Sequence, residues 1–310
     1  MNVLKAYKFR LYPTGEQRQF FIETFGCVRF TYNALLKDRE QSNPGEKNSL
    51  TPAKLKCSYP FLKQTDSLAL SNTQRNLDRA FRNFYAGRCA HPKLKTKKNQ
   101  WQSYTTNNQQ GTIRIEEGQL KLPKLKSLVP LNLHREVKGQ IRSATISAKN
   151  LEEFYVSLLC EEEVTPLPKT RKKIVLHFCP EQLLQENQGL KTRFCQEELQ
   201  EKIAREERRL AIRSESARRR LVKLKTAKNY QKQKARVLEL YRHKKARKQS
   251  YMDELSLKLV EKYDEIILYH ASSQTGTFGS SDWQHFLQKV QYKARWYGKT
   301  VVVKSLQKKA

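Results

Sequence analysis

The sequence predicts a mixed fold: a small antiparallel β-barrel that carries an inserted helical lobe, followed by an α/β domain with a partly parallel sheet. Three observations predict it. The hydrophobic period runs from two to helical and back to two within the first 160 or so residues. A Pro-rich linker, VTPLPKT (Val164 to Thr170), then reads as a boundary. Beyond it, strand patterns alternate with long helical ones, as a parallel sheet requires. A length of 310 residues allows about two such domains.

The elements follow in order. VLKAYKFRLYP alternates apolar with basic or aromatic positions and stops at Pro13, which predicts a strand with one buried face and Lys5, Lys8 and Arg10 on offer. From Thr14 to Lys37 the pattern is helical. Thr14 and Gln17 have capping-box spacing, and Phe20, Phe21, Phe25 and Val28 mark the inner face. A second helix is predicted over about 66–86. Asp66 or Ser67 caps it, Leu68, Leu77, Ala80, Phe81 and Phe84 form its stripe, and Gly87 closes it. His91 to Gln100 reads as a basic loop, and the polar run around Thr105 to Gly111 as another. Ile113 to Leu125 alternates around a turn at Glu117-Gly118, and Ile141 to Ala148 pairs with Phe154 to Cys160 around Lys149-Asn150. In the second half the predicted order is strand 172–178, helices about 196–224 and 229–262, and buried strand 265–270. A Ser/Gly-rich loop, helix 282–297 and strand 300–304 complete it.

Composition narrows the function. Lys plus Arg number 61 and Asp plus Glu 30, a net charge of +31. Such a field repels itself unless a polyanion neutralises it, which points to nucleic acid rather than a small acidic substrate. Residues 201–250 concentrate the excess, with 19 Lys/Arg against 5 Asp/Glu interleaved with leucines and valines. A hydrophobic share of 38% is enough for cores and excludes wholesale disorder. Apolar stretches such as Ile266 to Leu268 and Val301 to Val303 fall far below the ~20 residues of a bilayer span. Charges and a proline occupy the place of a signal-peptide core, so no membrane association and a cytoplasmic location are expected. The six cysteines stand singly, without the paired spacing of a zinc ribbon, and are expected to be small buried thiols.

Several segments resemble the TnpB family, the RNA-guided nucleases encoded by insertion sequences. They are YKFRLYPT (Tyr7 to Thr14), TFGCVRFTYNALL (Thr24 to Leu36), NLDRAFRNFY (Asn76 to Tyr85), IRIEEGQLKLPKL (Ile113 to Leu125), YVSLLCEEEV (Tyr155 to Val164) and YKARWYGKTVVV (Tyr292 to Val303). The resemblance implies an oligonucleotide-binding-like β-barrel of the wedge type over 1–13 and 101–165, with a helical recognition lobe over 14–100. Over 166–310 it implies a RuvC-like domain of RNase H-like fold, degenerate and C-terminally truncated, with a basic helical hairpin at about 196–262. It also implies a guide RNA, with scaffold and 3′ guide, and a double-stranded target DNA that pairs with it as a heteroduplex. One protein per guide RNA is expected.

The departures from the family pattern carry the functional expectation. RuvC cleavage uses three carboxylates that hold two divalent metals. His177 stands where the first Asp is expected, and Tyr269 where the strand-ending Glu is expected, with His270 after it. The third Asp lies beyond a zinc ribbon that residues to Ala310 do not reach. Imidazole and phenol do not replace the anionic oxygens that hold magnesium. The expectation is therefore no catalytic residue, no metal, no cofactor and no nuclease activity. It matches the nuclease-dead TnpB-like repressors, which sit on a promoter next to a short, A·T-rich motif. Motif contacts are expected from Ser71, Asn72, Gln74 and Arg75, with Tyr104, Thr105, Thr106 and Asn107. Guide and heteroduplex contacts are expected from Lys5, Tyr7, Lys8, Arg10 and Arg29. The hairpin adds Arg218, Arg219, Arg220, Lys228, Lys232, Lys244, Lys245 and Lys248, with Tyr230 and Tyr241 as stacking neighbours. The alternatives are a truncated but active endonuclease and a guide-independent RNA-binding accessory protein of a transposon.

Overall fold

The computed structural model describes residues 1–41, 49–185, 194–270 and 276–305. It divides into two compact units, Asn2–Glu163 and Val164–Ala310, Met1 belonging to the latter.

The first unit opens with β1 (Asn2–Leu11), whose burial alternates along its length. Period two turns Val3, Lys5, Tyr7, Phe9 and Leu11 to one side and Lys8 and Arg10 to the other. Helix α1 (Gly15–Gln41) starts on the predicted capping box. The Thr14 N–H donates to Gln17 Oε1 (3.0 Å) and the Gln17 N–H to Thr14 Oγ1 (3.4 Å). A short helix not expected from the sequence, α2 (Pro52–Ser58), begins on the Thr51 hydroxyl with Pro52 in its first turn, and a 3-10 turn follows over Pro60–Gln64. Helix α3 (Ser67–Tyr85) ends at Gly87, whose positive φ lets its N–H reach the carbonyl of Phe84. Asp66 does not cap α3 with its side chain; it accepts the Thr106 hydroxyl instead.

Residues read as the polar loop after Trp101 form β2 (Trp101–Asn107). Its neighbours explain why: it pairs antiparallel with β6 through seven register partners, and ladder bonding outweighs the weak strand signal of Gln, Ser and Asn. Then come β3 (Arg114–Glu116), β4 (Gln119–Lys121), β5 (Val129–Pro130), β6 (Gln140–Lys149) and β7 (Glu153–Glu163). One sheet has the order β1-β7-β6-β2, the other β3-β4-β5. β1 bridges towards β5 through Leu11 and Leu131, with Tyr12 N–H to Pro130 O and Asn132 N–H to Arg10 O, both 2.9 Å. At the opposite edge the Asn108 side chain spans from β6 to Ile113, donating to Ile141 O (2.9 Å) and accepting the Ile113 N–H (2.8 Å). Among the described residues the ladders do not close, so the expected barrel is two sheets joined at their edges. The helices form no separate body. Phe21, Phe25, Leu35, Leu70, Leu77 and Phe81 share one core with Phe9, Ile146, Phe154 and Leu158.

The second unit contains β8 (Lys173–Cys179), β9 (Leu183–Leu184), α4 (Glu197–Arg219), α5 (Lys228–Lys262), β10 (Glu265–His270), α6 (Ser280–Tyr297) and β11 (Thr300–Ser305). Strand order is β11-β10-β8-β9, with β10 parallel to both β8 and β11 and β9 antiparallel to β8. The partly parallel sheet is as predicted, although part of the Ser/Gly-rich loop lies outside the described residues. Ile174, Leu176, Ile266 and Leu268 pack on Met252, Leu259, Trp283, Phe286 and Val290 from α5 and α6. Asp282 accepts the Gly279 N–H at the start of α6, and Asp264 accepts the Arg171 N–H. The mixed α+β class holds for both units. Of the cysteines, Cys27 and Cys160 are buried as expected, but Cys57, Cys89 and Cys195 are exposed.

Candidate nucleic-acid interface

The charge of β1 divides by parity. Lys8 and Arg10 face solvent. Lys5 and Tyr7 turn inward and converge on the buried Glu162: the Lys5 ammonium lies 2.9 Å from Oε2, and the Tyr7 hydroxyl donates to Oε1. Burial, then Glu162, pushes the Tyr7 phenol up to about 12. Lys5 and Tyr7 are thus committed to an internal carboxylate, which corrects the reading that Lys5 stands on the exposed face. Arg29 is held at the β2 edge by Gln102 Oε1 (3.3 Å).

The α3 surface shows a groove of about 300 Å³, lined by Asn72, Arg75, Asn76, Arg79, Arg82 and Thr105. Asn72 joins its two walls, donating to Thr105 O (2.9 Å) and Asn107 Oδ1 (3.3 Å). Helical spacing selects the set: from Asn72, steps of three and four reach Arg75, Asn76, Arg79 and Arg82. Asn72, Arg75 and Thr105 are among the residues expected from the sequence; Asn76, Arg79 and Arg82 are not, although the same helical spacing selects them. Ser71 and Gln74 are not among the lining residues. Tyr104 and Thr106 point into the core of the unit, where burial raises the Tyr104 phenol far above its usual range. A strand in place of the expected loop buries every second residue, so in this conformation these two cannot present themselves to a base edge.

In the basic hairpin α4 and α5 are pinned by Glu206, which accepts from Gln233 (2.6 Å) and Arg209 (2.7 Å) and is held below the usual carboxylate range by the Gln233 amide first of all. Ile203, Ala217 and Val237 are the buried apolar residues of the same two helices in this stretch. The tip between the helices exposes Arg218, Arg219, Arg220 and Lys228. Arg219 pairs with Glu215. Lys232 lies in a groove of about 470 Å³ with Arg213 and Arg236. Lys245 is exposed and Lys244 partly so. Lys248 is different: its ammonium lies 3.1 Å from Asp282, donates to Thr277 O and sits over the Phe278 ring. That lysine ties α5 to α6. Tyr241 donates to Glu207 (2.6 Å), which fixes its ring on the hairpin.

At the edge where the family's carboxylates are expected, His177, Tyr269 and Lys304 are mutual register partners across β8, β10 and β11. The imidazole and phenol rings stack at 5.0 Å and 13°, and the Lys304 ammonium lies 5.9 Å from the centre of the Tyr269 ring. These donors do not fit a hard divalent ion, which wants anionic oxygens. Glu265, at the other end of β10, is engaged by Lys173 (3.0 Å). No group of three His, Cys, Asp or Glu side chains poised for a metal occurs among the described residues, and the His270 side chain lies outside them.

These features define a class: a mixed α+β protein whose cations gather in grooves and on an exposed hairpin. Residues 1–43 match the model of the HTH_OrfB_IS605 helix-turn-helix domain; in this chain β1 and α1 lie within them. A "Putative RNA-guided DNA endonuclease" of Streptomyces pristinaespiralis is 28% identical over 324 residues, 97% of this chain and 77% of that protein. A second protein so titled, InsQ of Escherichia coli (strain K12), is 28% identical over 254 residues, 78% of this chain and 60% of its own length. The virulence protein VsdF of Salmonella dublin is 35% identical over 111 residues, 31% of this chain and 89% of that protein. A Cas12f1 structure solved with sgRNA and target DNA aligns over 98% of this chain and 89% of that one, with a TM-score of 0.47 and 10% identity. The chain is thus similar to proteins named as putative RNA-guided DNA endonucleases, and its first 43 residues carry the HTH_OrfB_IS605 match.

Proposed function

We propose that this protein binds a guide RNA and the DNA that matches it without cutting, and represses transcription by occupying a promoter. Guide pairing reads the sequence, while the protein reads a short adjacent duplex motif and the heteroduplex backbone. The observation that carries the loss of cleavage is the His177–Tyr269 stack with Lys304 beside it. A metal centre needs negative charge at that edge; an imidazole, a phenol and an ammonium supply none.

Binding is supported by what remains. The Arg75, Arg79 and Arg82 groove can hold duplex phosphates while Asn72 stands at its wall, bonded to Asn107 behind it. Lys8, Arg10 and the hairpin cations can neutralise a guide RNA backbone. A second reading, an active endonuclease, is favoured by the names of the two longer relatives. Sequencing the RNA that copurifies with the protein tests guided binding. One scaffold with a defined 3′ extension is expected, and a random sample of cellular RNA would favour a guide-independent binder.

A further inference from the structure

The outer face of the β1-β7-β6-β2 sheet has an unusual floor for a solvated surface. Exposed faces of antiparallel sheets ordinarily carry long charged side chains. Here the middle of the face bears two adjacent rows of small hydroxyls across β7, β6 and β2: Ser157 with Thr145 and Thr105, and Ser147 with Ser103, the second row starting at Tyr155. Small hydroxyls leave the ground flat and open. Two large rings stand on it. Trp101 is 48% exposed, Tyr155 is partly exposed, and their centres lie 6.2 Å apart. The Tyr155 hydroxyl is fixed by Glu153 Oε2 (3.0 Å). Cations border the rings: Lys8 lies 4.9 Å from the centre of Tyr155 and 5.8 Å from that of Trp101, and Arg10 lies 5.7 Å from Tyr155. The face is continuous with the α3 groove, because Thr105 belongs to both.

We propose that this face is a stacking platform for the unpaired bases of a single-stranded nucleic-acid segment, with Trp101 and Tyr155 as its two ring surfaces and Lys8 and Arg10 holding the intervening phosphates. The inference rests on the nucleic-acid reading above and adds the ligand's class. A half-exposed tryptophan has no packing reason to stand on a serine floor. Every base has a π-face, so two rings edged by cations take a strand with little regard for sequence. The flanking hydroxyls add donors and acceptors within reach of ribose 2′-OH groups.

The test uses the full chain, stripped of bound RNA at high salt, with a short oligouridylate, a short oligothymidylate and a blunt DNA duplex as probes. Stacking should quench tryptophan emission on titration with the single strands, and the quench should vanish in Trp101→Phe, which keeps the buried Trp283 and the partly exposed Trp296. Trp101→Ala and Tyr155→Ala should each lower single-strand affinity about tenfold while leaving duplex affinity and the salt slope unchanged. Trp101→Phe should keep most of the affinity, which separates stacking from a folding defect. Lys8→Ala should instead lower the log–log salt slope by roughly 0.7. Tighter oligouridylate binding assigns the platform to guide RNA, and tighter oligothymidylate binding to displaced DNA. Ring variants that bind both strands like the parent overturn the platform and leave the nucleic-acid reading standing. A parent that binds none of the three probes overturns both.

Discussion

His177 on β8 and Tyr269 on β10 are register partners whose rings stack at 5.0 Å, nearly parallel at 13°. Parallel strands place them side by side, and Lys304 follows in register on β11. The same juxtaposition that would let two carboxylates share metals here lets two rings share a face. At this edge the pair forms a packing contact.

Truncating that contact should cost stability and spare binding. For His177→Ala with Tyr269→Ala, we expect a loss of about 0.5–1.5 kcal/mol beyond simple area, seen as a lower midpoint in denaturant unfolding. Guided DNA affinity should stay within about twofold. A collapse of binding in a variant that still folds would give the pair a role in the interface.

The hairpin should act through phosphates. Lys244→Ala with Lys245→Ala should weaken RNA binding about equally for all guides and lower the log–log salt slope by roughly 0.7–0.9 for each phosphate that is no longer neutralised. Lys248→Ala should behave otherwise, lowering the thermal midpoint by loosening α5 from α6 at Asp282 with little change in slope. Equal slope changes for both variants would mean that Lys248 leaves Asp282 when RNA binds.

Motif reading should centre on the α3 groove. Asn72→Ala and Asn107→Ala should each reduce discrimination between correct and altered motifs by about 1–3 kcal/mol. Arg75→Ala with Arg79→Ala should weaken all duplexes alike. A competition assay with duplexes that differ only in the motif separates the two effects.

Most helices and strands were legible because their apolar spacing is strong; the parallel order of the second unit followed from strands separated by helices. β2 was not legible. Ser103, Thr105 and Asn107 face outward, and only Tyr104 and Thr106 report a buried side, too short a signal for period two. Lys5 was misassigned for a different reason: its parity points inward, but nothing in the sequence places Glu162, diagonal to it on β7, within reach. Long-range partners decide such cases. At the groove, Asn72 and Arg75 were legible in the sequence, whereas Arg79 and Arg82, which follow at the same helical spacing, were not singled out.

Asp264 should couple stability to pH. Lys299, almost fully buried, pairs with it at 2.5 Å and, together with the backbone N–H of Arg171, holds its carboxyl well below the usual carboxylate range. A folded-state value below the unfolded one stabilises above the unfolded pKa, and that stability fades as pH falls through the ordinary carboxylate range and below. Asp264→Asn should therefore melt earlier than the parent at neutral pH, with the gap narrowing as the solution is acidified. A gap independent of pH would show that the ion pair contributes nothing to folding.

The central claim is guided binding without cleavage. The most direct measurement incubates the protein, loaded with its copurifying RNA, with matched DNA that carries the adjacent motif, in the presence of magnesium. Retention of the duplex is followed on a native gel and strand integrity on a denaturing one. The account predicts a guide-dependent shift with both strands intact. Guide-dependent strand scission that needs the divalent ion would contradict it.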